Sequence, residues 1–330
     1  QTTVELSKAD LTDKKELPGA SLKVTDEDGN TVDEWVSKEE AHIIKGLIVG
    51  KKYKMTETKP ADGYVTAESI EFTVENTKEV QKHQMLDDVT KVEISKKDIT
   101  DSSEVPGAKL IILDKDGKKV ESWTSTDKPH MVEKLPVGEY TLREEQAPDG
   151  YLIAEDVKFT VKDTGKVQKV KMKDAHPYGK LVIKKTDSTS KAALSGAEFE
   201  LREKESGKVV EKLVTDKTGT ATSGKLPIAT YKNGKVEKTV EYILVETKAP
   251  NGYELSSKKE EIRFEYKDGK TKVIEIVKEI KNTKSPSGST PTGNSPKTGD
   301  STNIWLPILL AVLSACGIGG VIWYKKKKGN

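Results

Sequence analysis

One pattern returns three times along this chain, at residues 53–64 (YKMTETKPADGY), 140–151 (YTLREEQAPDGY) and 242–253 (YILVETKAPNGY). Such a repeat directs a 330-residue chain into several small units, each with its own core, and away from one large core. In every copy Tyr-x-Leu/Met-x-Glu alternates with the period of a strand, and Pro, Ala, Asp or Asn, and Gly then break it. The glutamate continues the apolar face. Glu57 follows Tyr53 and Met55, Glu144 follows Tyr140 and Leu142, and Glu246 follows Tyr242 and Leu244, so period-2 geometry turns all three carboxyls inward. A carboxyl enclosed at the same place in each unit needs a partner there.

The partners come from the ends of each unit. The opening strands VELSKAD, VEISKKD and LVIKKTD place Lys8, Lys96 and Lys185 on the apolar face of Val4 and Leu6, Val92 and Ile94, and Leu181 and Ile183. By the same alternation the closing strands bring Asp87, Asp174 and Asn282 inward. Neighbours one residue away, Lys97, Lys184 and Asp88, are the alternatives to these assignments. Lys96 follows Lys8 by 88 residues and Lys185 follows Lys96 by 89, a period that suits a small antiparallel β-sandwich of about seven strands. The chain is therefore expected to be all-β, with three tandem Ig-like sandwiches at residues 1–89, 90–177 and 178–283. The third unit carries an additional stretch, KNGKVEKTVEY, whose Asn233-Gly234 predicts a longer hairpin.

An enclosed Lys, Glu and Asp or Asn can form an amide between the lysine amine and the side-chain carbonyl. Burial favours the neutral amine as nucleophile and a protonated Glu that polarises the carbonyl and shuttles protons. Contact between amine and carbonyl replaces chemical activation, because effective molarities of well-oriented groups reach about 10⁵ M or more. The first two units would lose water and the third ammonia. The product ties first strand to last, so tension on a unit falls on a covalent bond. Cys316 is the single cysteine, so no disulfide within the chain can take this role, which small extracellular domains often require.

Composition limits the alternatives. Charged residues make up 33% and aromatics 5%, with a net charge of +2; this balance of signs argues against nucleic acid as a partner. His42, His83, His130 and His176 show no metal-ligand spacing, and no nucleophile–base set or phosphate loop emerges, so neither enzyme activity nor a metal or cofactor is expected. The repeated tyrosines read as core and corner packing.

Beyond the third unit, residues 284–294 turn rich in Ser, Thr, Pro and Gly, a linker composition. Ser295-Pro296-Lys297-Thr298-Gly299 follows, then an apolar run at 304–324 that would span about 30 Å as a transmembrane helix. Lys325 to Lys328 place that end in the cytoplasm and the β units outside. The chain opens on Gln1 without an initiator Met or signal peptide, and reads as the C-terminal piece of a longer protein.

The motifs K-x-D, L-P-G-A and Y-x-L-x-E-x-x-A-P-x-G-Y, with the closing Asp or Asn, resemble the B-type repeat domains of Gram-positive collagen adhesins, also called SpaA-like or prealbumin-like pilin domains. The first unit departs from the pattern with KPADGY. The resemblance implies an inverse Ig-like sandwich with a Glu-assisted isopeptide bond, here Lys8–Asp87 with Glu57, Lys96–Asp174 with Glu144, and Lys185–Asn282 with Glu246. Residues 295–330 resemble a cell-wall sorting signal, with SPKTG in place of L-P-x-T-G. That implies a sortase as partner, cleavage after Thr298 and transfer to peptidoglycan, with the membrane as an intermediate station. The resulting expectation is a wall-anchored adhesin stalk. Other expectations are an accessory or basal pilin, modules that bind host extracellular matrix such as collagen, and the stalk of a surface enzyme.

Overall fold

The computed structural model describes residues 1–286. The SPKTG motif, the apolar run 304–324 and the basic end lie outside the described residues. All regular elements among the described residues are strands, as the alternating sequence predicts, and they form three prealbumin-like sandwiches.

Module one consists of β1 (Thr3–Asp10), β2 (Ser21–Thr25), β3 (Thr31–Val36), β4 (His42–Lys45), β5 (Lys52–Lys59), β6 (Ile70–Thr73) and β7 (Gln81–Asp87). A three-stranded sheet, β4-β1-β7, packs on a four-stranded sheet, β3-β2-β5-β6. Module two repeats the plan with β8 (Lys91–Asp98), β9 (Lys109–Asp114), β10 (Lys119–Thr124), β11 (His130–Glu133), β12 (Gly138–Gln146), β13 (Val157–Val161) and β14 (Gln168–Asp174). Its sheets are β11-β8-β14 and β10-β9-β12-β13. The inward residues fill the space between the sheets: Val4, Leu6, Leu22, Val24, Met55 and Met85 in module one, and Val92, Ile94, Leu110, Ile112, Leu142 and Met172 in module two.

Module three opens with β15 (Tyr178–Asp187), β16 (Glu198–Glu203), β17 (Val209–Val214), β18 (Thr220–Thr222) and β19 (Leu226–Pro227). It continues with β20 (Ala229–Lys232), β21 (Lys235–Thr239), β22 (Glu241–Lys248), β23 (Lys259–Arg263) and β24 (Val273–Asn282). The β20–β21 pair is the additional hairpin, and its turn has positive φ at Asn233 (52°) and Gly234 (69°), the geometry that an Asn-Gly hairpin turn requires.

One feature departs from the antiparallel expectation. β1 and β7, β8 and β14, and β15 and β24 each pair in parallel. A parallel pair needs a long connection, and here the connection is the rest of the module. First and last strands thus lie side by side and end together, with Asp10 opposite Asp87, Asp98 opposite Asp174 and Asp187 opposite Asn282.

Neighbouring modules also touch. Thr66 donates to Asp163 (2.6 Å), and Lys134 of module two donates to Tyr64 Oη (2.7 Å). The β20–β21 hairpin of module three reaches onto module two, where Tyr231 donates to Gly150 O (2.7 Å) and stacks on His176 at 3.5 Å between ring centres.

Candidate functional site

The parallel strand pair and the strand carrying the repeated glutamate converge on one point inside each module. In module one Lys8 Nζ contacts Asp87 Oδ1 and lies 2.9 Å from Glu57 Oε1, which reaches across from the other sheet. In module two Lys96 Nζ contacts Asp174 Oδ1 and lies 2.9 Å from Glu144 Oε2. In module three Lys185 Nζ contacts Asn282 Oδ1, with Glu246 Oε1 at 3.4 Å. The lysines are only 0–2% exposed. Each glutamate is fixed from behind by a backbone N–H: Ala67 (2.6 Å), Ala154 (2.6 Å) and Ser256 (2.8 Å). The structure thus brings the Lys, Glu and Asp or Asn named from the sequence together in each module. The one-off neighbours lie elsewhere: Lys97 pairs with Glu104 (2.7 Å), Lys184 is exposed, and Asp88 pairs with Lys91 (2.8 Å).

The two carboxyls of modules one and two share one environment. Asp87 Oδ2 in module one, and Glu144 Oε1 with Asp174 Oδ2 in module two, are buried and accept no hydrogen bond. A proton on Asp87 Oδ2 or Asp174 Oδ2 would turn the orphaned acceptor into a donor. Burial pushes the Asp87 carboxyl up to about 7, with the Lys8 ammonium opposing and Glu57 reinforcing the shift. Asp174 is pushed up to about 7, again first by burial, with Lys96 opposing and Glu144 reinforcing. A protonated carboxyl is a far better electrophile than a carboxylate.

Module three has an amide instead. Asn282 Nδ2 donates to both Glu246 oxygens (3.0 and 3.1 Å) while Oδ1 faces the lysine. The opposite orientation would set an N–H group against the ammonium. The amide nitrogen of Asn282 therefore lies against a carboxyl group and its oxygen against the amine. Burial lowers the Lys185 pKa, opposed by the charge of Glu246.

Sequence reasoning missed a second cluster beside the first. The tyrosine that closes each repeated motif does more than pack at a corner: Tyr64, Tyr151 and Tyr253 donate to Asp10 (2.7 Å), Asp98 (2.8 Å) and Asp187 (2.8 Å). These are the aspartates of the three K-x-D motifs. The recurrence of that Asp alongside the final Tyr was the available signal.

The SpaA family, a prealbumin-like fold domain, matches residues 2–88, 90–176 and 179–280. Among solved structures the chain is similar to the Bacillus anthracis TIE protein, at 28% identity and a TM-score of 0.56, over 86% of this chain and 51% of that one. The chain thus spans about half the length of that structure. It is also similar to BcpA, the major pilin subunit of Bacillus cereus, at 19% identity and a TM-score of 0.50, over 86% of this chain and 99% of that one; this second likeness concerns the fold. No curated protein sequence matches the chain.

Proposed function

This chain belongs to the SpaA family of prealbumin-like fold domains, and from that premise we propose that its modules form a surface stalk braced by intramolecular amide bonds. The observation that carries the reading is the enclosure of an amine, an acid and a side-chain carbonyl at the join between opening and closing strands, once in each module. A structural ion pair alone would be a costly way to fill three small cores, because desolvation of the charges offsets much of their attraction.

The reaction follows from the positions of the groups. The neutral Lys8 amine attacks Asp87 Cγ, and an N–C bond forms as the C=O π electrons move onto oxygen. Glu57 takes a proton from the attacking nitrogen and delivers one to the departing hydroxyl; the C–O bond breaks and water leaves. Lys96, Glu144 and Asp174 act alike. In module three the bond that breaks is Cγ–Nδ2 of Asn282, Glu246 protonates that nitrogen, and ammonia leaves. Proximity supplies the driving geometry.

Anchoring is the second part of the proposal. A sortase thiolate attacks the Thr298 carbonyl in SPKTG, releases the segment from Gly299 onward and passes Thr298 to a peptidoglycan amine. The apolar run and the lysines behind it hold the precursor in the membrane with the modules outside. Intact-mass measurement tests the braces: a chain lighter than its sequence by two waters and one ammonia supports them, and a mass equal to the sequence removes them. For the anchor, Thr298→Ala should shift the protein from the wall fraction to the membrane fraction; an unchanged distribution would remove sortase from the account.

A further inference from the structure

The three aspartate–tyrosine pairs surround the end of the closing strand in the same way each time. In module one Leu11, directly after Asp10, donates its N–H to Asp87 O (2.8 Å), and Val65, directly after Tyr64, donates to Asp88 O (2.9 Å). The Tyr64–Asp10 bond joins these two donor segments and closes a ring around residues 87 and 88. Module two repeats it: Ile99 donates to Asp174 O (3.0 Å) and Leu152 to Ala175 O (2.9 Å), closed by Tyr151 on Asp98. Module three does so with Ser188 on Asn282 O (2.9 Å) and Glu254 on Thr283 O (3.0 Å), closed by Tyr253 on Asp187.

We propose that Asp10–Tyr64, Asp98–Tyr151 and Asp187–Tyr253 are positioning pairs for amide formation, holding the end of the closing strand so that the acceptor carbonyl stays against the lysine amine. The inference rests on the amide-forming reading above. A strand terminus frays unless something ties it down, and a misplacement of about 1 Å at a reacting pair can cost about a hundredfold in rate. The remaining oxygen of each aspartate is also occupied, by the N–H of Thr12 (2.7 Å), Thr100 (2.7 Å) and Thr189 (2.8 Å), so the carboxylate is rigid as well as tied. Burial alone would raise Asp10, but the Tyr64 hydroxyl and the Thr12 N–H outweigh it and hold the group at about 2. An ionised, fully hydrogen-bonded carboxylate is a poor electrophile, so the aspartate two residues from the lysine does not compete with the acceptor.

Tyr253 offers the clean test. Lys134 also bonds to Tyr64, and Tyr231 packs on Tyr151, so those phenols serve the junctions as well. The full chain is made by cell-free translation, quenched at intervals and digested, and the joined Lys185–Asn282 peptide is quantified by mass spectrometry. Protease resistance at the same times gives the folded fraction of module three. Tyr253→Phe should slow joining in module three about tenfold, the equivalent of one hydrogen bond to a charged group, while modules one and two keep their rates as internal controls. Asp187→Asn, whose amide can donate to the phenol oxygen, should stay within about threefold of the unaltered rate, and Asp187→Ala should be as slow as Tyr253→Phe. Joining of Tyr253→Phe at the unaltered rate overturns the inference, as does a slowing that only tracks loss of folded protein. Failure of the unaltered chain to join at all removes both the amide reading and this one; normal joining there with no effect of Tyr253→Phe removes this one alone.

Discussion

If the modules are braced as proposed, Glu144→Gln isolates the contribution of one brace. The glutamine is isosteric, and its carbonyl can still accept from the Ala154 N–H that holds Glu144 at 2.6 Å, so packing is kept while the proton shuttle is lost. Lys96 and Asp174 are 78 residues apart in sequence. Closing a loop of that length removes about 4.5 kcal/mol of chain entropy from the unfolded state, which the variant gives back to it. For a module of this size such a loss lowers Tm by about 20–35 °C. The unreacted Lys96 and Asp174 remain buried, which adds to the loss and does not offset it. Calorimetry of the full chain should show module two melting as a separate, earlier transition, with the other two unchanged. Mass spectrometry of the same sample must find module two heavier than in the parent by one water, after allowance for the lighter glutamine. If that water is retained and the transition moves by less than about 5 °C, equivalent to about 1 kcal/mol, the argument that the brace stabilises through the unfolded chain is wrong.

The acceptors should separate by pH. Asp87 and Asp174 are pushed up to about 7 before reaction, so the reactive protonated form is lost as pH rises through that value, whereas Asn282 has no such proton to lose. The rate of joining in module two relative to module three should fall about tenfold per pH unit above 7; peptide quantification at pH 6 and pH 8.5 after translation checks this, and a constant ratio would refute it. The same raised pKa means that, until the bond forms, the folded state binds a proton more readily than the unfolded chain. The acceptor carboxyl therefore contributes most to module stability below its ordinary range and loses that contribution as pH climbs toward 7. At the second junction Tyr231→Ala removes a stacked ring and a hydrogen bond, and amide exchange at Ile153, which donates to Gly269 O across the modules (2.8 Å), should accelerate about tenfold. Gly234→Ala should release the hairpin altogether, because an added Cβ would lie 1.9 Å from Glu104 O; loss of protease protection at the hairpin, with the module-three core still folded, is the expected readout.

Much of the site was legible because it depends on local alternation. A lysine or glutamate that keeps step with Val4 and Leu6, or with Tyr53 and Met55, must face the core in any strand, and the structure brings those groups together. What alternation cannot reveal is pairing at a distance. Whether β1 meets β7 in parallel is a matter of topology, and both directions satisfy the same hydrophobic pattern. The Asp10–Tyr64 bond spans 54 residues and joins a residue at a strand end to one in a turn, where periodicity carries no orientation. The hairpin of module three was announced by Asn233-Gly234, yet its seat on module two depends on Gly150 and His176, which belong to another repeat.

That seat gives the copies a fixed order. Val89 occupies in module one the place that His176 holds in module two, two residues past the acceptor. Were recombination to excise the middle copy and splice the first directly onto the third, Tyr231 would meet an aliphatic side chain instead of an imidazole. The three copies are thus not interchangeable beads: the hairpin of the third is matched to the second, and this joint persists only where a copy carrying the equivalent of His176 directly precedes it.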